Sequence, residues 1–322
     1  MTGPRLAYLL AFASLAFWTA SHLLPPINLD VGALLYVAQR WVAGDRLYVG
    51  VIDPNTPWAI ALHVPAVAFA KTFGGNAPSW FSGFVCALIA LSVGLAARLL
   101  RYARPGGPSL TALTLPLAAL LVLGPLPGSS FGQREHLLLI GALPYLLLAG
   151  LRAEGAAVPL ALRLGVAVLA AGAFAIKPYF VAPLLLVEVY LLARRGWRAP
   201  FGDVVPWVIG IAMVVHLLAA ILLTPEYFSF VIPFTRATYE DPIGQLANAV
   251  PLLLGPDLLP VTLLLPMMSL LAFVWSGSRF AEALTLFVLG AVASALLQGK
   301  GWDYQSLPAL GSTLLLAMLL TA

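Results

Sequence analysis

The chain has 322 residues, of which 61% are hydrophobic and only 9% charged, and its formal net charge is +4. A mean hydropathy of +0.97 excludes a soluble globular domain. The pI near 9.3 reflects arginines at one membrane face, because no soluble segment is long enough for a nucleic-acid module, and the single Cys86 excludes an intrachain disulfide or a cysteine-built metal site.

Apolar stretches of about 18 residues or more read as membrane-crossing helices, since a helix rises about 1.5 Å per residue and the hydrocarbon core is roughly 30 Å thick. In chain order they are Leu6–Leu24, Ser79–Leu100, Leu110–Leu126, Leu137–Leu151, Leu162–Ile176, Phe180–Ala193, Val204–Leu223, Ala249–Val274, Phe280–Leu297 and Ser306–Ala322. The expected architecture is therefore an all-α polytopic bundle of about ten spans, forming one transmembrane domain over 1–322. The opening MTGPRLAYLLAFASLAFWTA resembles a secretory signal but lacks a small-x-small cleavage site, so it reads as a retained first helix. The first loop, about 25–79, holds an amphipathic stretch, Val31–Val42. Its Leu34, Leu35 and Val42 face could lie on the membrane while Tyr36, Gln39 and Arg40 face water.

Trp58–Phe73 decides the orientation. If it only dips into the interface, Arg5, Arg98, Arg101, Arg104, Arg152, Arg163, Arg194, Arg195, Arg198 and Arg279 share one side, as the positive-inside rule favours. That side then has three acidic residues, and the other has seven Lys/Arg and nine Asp/Glu, with Glu188 completing the thirteen acids. Pro65 and His63 interrupt the segment, which agrees with a dip. The N-terminus is accordingly placed in the cytoplasm, the chain in the inner (cytoplasmic) membrane, and five loops on the outer, periplasmic face.

Those outer loops hold the candidate chemistry. Asp30, just past the first helix, stands where a general base could meet both lipid and water; the alternative is that it merely caps Val31–Val42. GQREHLLL places Gln133, Arg134, Glu135 and His136 at the head of a span. Arg134 suits a phosphate as a bidentate donor, and Glu135 and His136 could hold a divalent ion with Asp30 or orient an acceptor. An interfacial anchor with an internal Arg134–Glu135 pair is the plainer reading. Lys177 could snorkel to head groups or line a phosphate-receiving cavity.

The loop 224–248 offers Arg236 among Glu226, Glu240, Asp241 and several aromatics. Lys300 sits between Gly299 and Gly301, which permit tight folding around a phosphate, beside Trp302, Asp303 and Tyr304. Tyr36, Trp302 and Tyr304 could contact sugar or acceptor; a plain turn with an interfacial tryptophan is the alternative for the last loop. His63, His22 and His216 read as packed residues. Glu188 is expected to pair with Arg195 toward the inner face. No glycine-rich nucleotide fingerprint is present, so a nucleotide-sugar donor has no evident site.

With these residues in place, the chain resembles the GT-C class of polytopic glycosyltransferases, in particular the protein O-mannosyltransferase and lipid A aminoarabinose transferase branch. The resemblance rests on Asp30 followed by GDRLY and DPNTPW, on GQREHLLL, on LAAGAFAIKPYFVAP with its lysine–proline corner, and on the closing YQSLPAL. It implies a catalytic aspartate at Asp30, a polyprenyl-phosphate-linked sugar as donor, a glycan, lipid or protein acceptor, and inverting transfer on the outer face. The element reads DPNTPW rather than a strict NPP, and Val31 follows Asp30 where the mannosyltransferases have a second acid.

The expected mechanism has Asp30 take the acceptor hydroxyl proton. Arg134 and Lys300, with Lys177 or Arg236, stabilise the leaving lipid phosphate. A divalent metal and a partner subunit are both open. A lipid-linked sugar transporter or flippase, or a non-catalytic subunit of a glycan-assembly complex, are the rival classes. Charges gathered at one surface and the lack of repeated halves count against the first.

Overall fold

The computed structural model describes residues 27–103, 114–239 and 263–320. The expected first helix Leu6–Leu24, His22, most of Ala249–Val274, and Glu240 and Asp241 lie outside the described residues. Those described are mainly helical, with an isolated Leu47–Val51 bridge as the one β feature among them.

The first element, α1 (Leu29–Val42), starts because the Asn28 side chain accepts the Asp30 N–H at 2.8 Å, capping the helix. Its Val31, Leu34, Leu35 and Ala38 recur at helical spacing and are buried. This corrects the expected membrane-facing role of Leu34 and Leu35. Their face packs onto protein, against α2 (Pro57–Ala61) and α3 (Val64–Phe73), while Tyr36, Gln39 and Arg40 are exposed as expected. Segment 58–73 is thus two short helices broken at Leu62–His63. Thr56 caps α2 with Pro57 behind it, and Pro65 sits in the first turn of α3.

Among the described residues four helices are long and apolar enough to cross a membrane: α4 (Ala77–Leu99, extended by a turn to Tyr102), α6 (Arg134–Ala153), α9 (Val204–Leu223) and α12 (Arg279–Gln298). Shorter helices are α5 (Thr114–Leu123), α7 (Leu160–Phe174), α8 (Val181–Arg195), α10 (Ile232–Tyr239), α11 (Leu265–Ser276) and α13 (Leu307–Leu320). The pattern is compatible with a membrane protein. Ile211, Val214, Leu218 and Leu222 on α9 are all exposed, an apolar surface that water would disfavour.

Helix α6 is the axis of the bundle. It is buried from Arg134 to Arg152 and packs against α4, α7, α12 and α13. Close packing is set by small residues: a Cβ added at Gly290 of α12 would lie 2.7 Å from the Pro183 nitrogen of α8. Arg134 and Arg152 stand at its two ends, eighteen residues or about 27 Å apart. Each end gathers its own ion pairs. The Arg134 end also receives the start of α1, the α7–α8 turn and the loop after α12; the Arg152 end receives the close of α8 and the starts of α9 and α12.

Candidate functional site

At the Arg134 end, five separate stretches meet. Because Asn28 caps α1, Asp30 falls in the first turn with its carboxylate free for other partners, which corrects the reading of Asp30 as the cap. Its Oδ2 accepts from Arg134 Nη2 at 3.2 Å and from Gln133 Nε2 at 3.3 Å. Helix α6 begins three residues before the expected Leu137, so Arg134, Glu135 and His136 form its first turn and are held by its backbone. Arg134 is 9% exposed at its side chain and Asp30 40%, which buries the cation and leaves the acid reachable.

Arg134 Nη1 also donates to the Asn55 side-chain oxygen. Asn55 is fixed in turn: its N–H and Nδ2 both donate to Asp53 Oδ1 at 2.7 Å, and its carbonyl accepts from Tyr48 Oη at 2.6 Å. Thr56 Oγ1 donates to the Ile176 carbonyl and Trp58 Nε1 to the Gly172 carbonyl, each at 2.8 Å. Those bonds tie the DPNTPW segment to the end of α7 and bring Lys177 alongside.

Lys177 does not snorkel. Its ammonium pairs with Glu135 and donates to Gln298 Oε1 at 2.9 Å. Glu135 is therefore spent on Lys177 rather than on Arg134, which corrects the expected internal pair. Burial, opposed by Glu135 and assisted by Arg134 and Lys300, pulls the Lys177 pKa down to about 8. The Tyr304 ring lies between the two cations, 5.9 Å from the Arg134 guanidinium and 5.6 Å from the Lys177 ammonium. Its hydroxyl is within 3.5 Å of Arg134 Nη2, and burial followed by the nearby acids pushes its pKa up despite Arg134.

Lys300 stands over the Trp302 ring at 4.8 Å, in a loop whose Gly299 and Gly301 both take a φ of 63° as glycine allows. Trp302 and Tyr304 pack on each other at 5.5 Å.

Not every expected residue joins this cluster. His136 is buried: its Nδ1 accepts the Gly132 N–H at 2.9 Å, so the proton lies on Nε2, which donates to the Leu123 carbonyl at 2.8 Å. Both nitrogens are spent on holding the loop before α6, so the expectation that His136 orients an acceptor or ligates an ion gives way to a structural role. Among the described residues no group of three His, Cys, Asp or Glu side chains is placed to hold a metal ion. Tyr36 is exposed on α1 and receives a bond from Arg40 at 3.2 Å. Arg236 is exposed on α10, and the segment before it is tied to the first loop through the Arg46–Glu226 pair and the Tyr48–Tyr227 ring contact at 5.2 Å.

Sequence reasoning missed Asn28, Asn55 and Gln298. Asn55 had a signal, the DPNTPW element itself. Gln298, 3.2 Å from Gln305 of the last loop, had only its polarity at the end of an apolar run.

The cluster is incompletely satisfied. Arg134 Nε, Glu135 Oε2 and Gln133 Oε1 are buried without a hydrogen-bond partner. Orphaned buried polar atoms each cost about 1–3 kcal/mol, so three in one place mark a spot built to meet something polar. One is a donor and two are acceptors, which suits a ligand carrying both an anionic oxygen and hydroxyls. No family model, curated protein or solved structure matches the chain.

Proposed function

We propose that this chain is a GT-C-like polytopic membrane glycosyltransferase. It has about ten spans, a cytoplasmic N-terminus, and its site at the outer face of the inner membrane. The donor is a polyprenyl-phosphate-linked sugar and the acceptor a hydroxyl on a glycan, lipid or protein. Segment 58–73 dips into the outer interface, which leaves the arginine clusters on the cytoplasmic side.

The observation that carries this reading is the meeting of a half-exposed carboxylate, Asp30, with the buried cations Arg134 and Lys177 among orphaned polar atoms. Asp30 removes the proton from the acceptor hydroxyl. The oxygen attacks the anomeric carbon from the side opposite the phosphate; the new C–O bond forms as the bond to the phosphate oxygen breaks, inverting the centre. The electron pair leaves with the polyprenyl phosphate, whose charge Arg134, Lys177 and Lys300 stabilise. Set against the Asp30 and Glu135 carboxylates, these three cations outnumber the acids they face by one, a fit to an anionic leaving group. Glu135 Oε2 and Gln133 Oε1 take sugar hydroxyls. Arg236 is a peripheral contact on the acceptor side, as are Tyr36 and Trp302.

The test is transfer from a panel of polyprenyl-phosphate-linked sugars by purified protein. Asp30→Asn should lower turnover by about 10²–10⁴ while donor binding persists. Near-normal transfer by a well-folded Asp30→Asn protein would remove Asp30 as the base.

A further inference from the structure

The Arg152 end carries a site of its own. A cavity of about 430 Å³ opens there, lined by Arg152, Arg163, Arg195, Asp203, Gly155 and Pro159. Asp203 caps α9 by accepting the Val205 N–H at 3.2 Å, and it accepts from Arg152 Nε and Arg195 Nη1, each at 2.7 Å. Arg152 reaches further, to Glu188 at 2.7 and 3.1 Å; Glu188 thus pairs with Arg152 and not with the expected Arg195. Burial raises the Asp203 pKa, but the Arg152 charge and the hydrogen bonds from Arg152, Arg195 and Val205 outweigh it and keep the carboxylate ionised.

Three guanidinium groups therefore face two carboxylates, and both carboxylates are already engaged. Arg163 is the least committed of the three. Its Nη1 is 4.0 Å from Asp203 Oδ1, its side chain is 29% exposed, and its Nε is buried without a partner. A planar donor fork with an unfilled position, on a cavity wall with surplus positive charge, matches a tetrahedral oxyanion. Depth points to the carrier. The α8–α9 corner beside the cavity exposes Trp197, Phe201 and Trp207, an aromatic set characteristic of the head-group layer.

We infer that this cavity binds a phosphate group, presented by an anionic lipid head group of the leaflet at this end. The lipid source rests on the membrane placement proposed above; the phosphate chemistry does not, and neither depends on transfer at Asp30, which pairs with the opposite end of α6.

Native mass spectrometry of the full-length protein, released from phosphatidylglycerol or phosphatidylcholine bilayers, tests it. Wild type should retain phosphatidylglycerol preferentially, and Arg163→Gln should lose that preference by on the order of tenfold or more. Its melting temperature in phosphatidylcholine should be unchanged, because Arg152 keeps both carboxylates paired. If Arg163→Gln does not fold, Arg163→Lys serves, keeping charge without the fork and expected to weaken retention. Stabilisation by excess inorganic phosphate, abolished in the variant and with no lipid preference, would support the phosphate site and overturn the lipid as its source. Equal retention of both lipids together with no effect of inorganic phosphate, or undiminished retention by the variants, overturns the proposal.

Discussion

Lys177 shows how much a single buried charge can report. Its ammonium faces Glu135, Gln298, Arg134, Lys300 and the Tyr304 ring, and burial brings its pKa from 10.5 down to about 8. The charge is present in the folded protein below about pH 8 and lost above it. Transfer should therefore decline on an alkaline limb near pH 8. Folding stability moves the other way: between about 8 and 10.5 the unfolded chain binds the extra proton, so this group makes the fold more stable as pH rises. Lys177→Arg, which stays charged, should move the limb up by more than one pH unit in a pH–rate profile; an unmoved limb would assign it to another group.

Sequence chemistry could name Asp30, Arg134 and Lys177, because a charge in so apolar a chain needs a reason. It could not name their partners. Asp30's freedom depends on Asn28 acting as the cap, and Arg134's second contact depends on Asn55 folding back from the first loop. Both are neutral residues in turns, where polarity alone carries no signal, and the DPNTPW element marks Asn55 without saying which residue it meets. His136 is the converse case: its neighbours marked it as a ligand, but two backbone bonds consume it.

Helices were the more readable level. Val204–Leu223 is found where expected, and the expected Ser79–Leu100 and Phe280–Leu297 differ from the observed helices by one or two residues at either end. Hydrophobic runs of that length leave little choice. The observed start of α6 lies a turn before the expected Leu137, because Arg134, Glu135 and His136 look unfit for a helix in lipid; each finds partners from elsewhere in the fold, such as Asp30, Lys177 and the Leu123 carbonyl, that the linear chain does not reveal. The same blindness assigned the Leu34–Leu35 face of α1 to the membrane, since amphipathicity reports an apolar neighbour without saying which.

Two tests belong at this scale. Gly290→Ala would drive a methyl into the Pro183 backbone, so α8 and α12 must part; a loss of about 1–3 kcal/mol should appear as a lower melting temperature in detergent. Arg152→Gln removes the shared partner of buried Asp203, which keeps Arg195, and of half-buried Glu188, which keeps Tyr145; it should cost about 3 kcal/mol by the same measurement. An Arg152→Gln protein as stable as wild type would show that this end is wetter than its packing implies.

For the molecule as a whole, the charges sort to two ends of one bundle, separated by about the thickness of a hydrocarbon core. Trp302 and Trp197 mark those ends and are both exposed. In a Cys86→Ser background, Trp302→Cys should react with a membrane-impermeant maleimide applied from the periplasmic side, and Trp197→Cys only after the inner membrane is opened. The reverse labelling would invert the orientation.

The central claim is that Asp30, Arg134 and Lys177 together form the place where a lipid-linked sugar reacts. An experimental structure with a polyprenyl-phosphate-linked sugar bound addresses it most directly. The account predicts the phosphate within hydrogen-bond reach, about 3 Å, of Arg134 and Lys177, with the far side of the anomeric carbon facing the Asp30 carboxylate. A phosphate seated instead at the Arg152 end, or a sugar whose reacting carbon points away from Asp30, would contradict it.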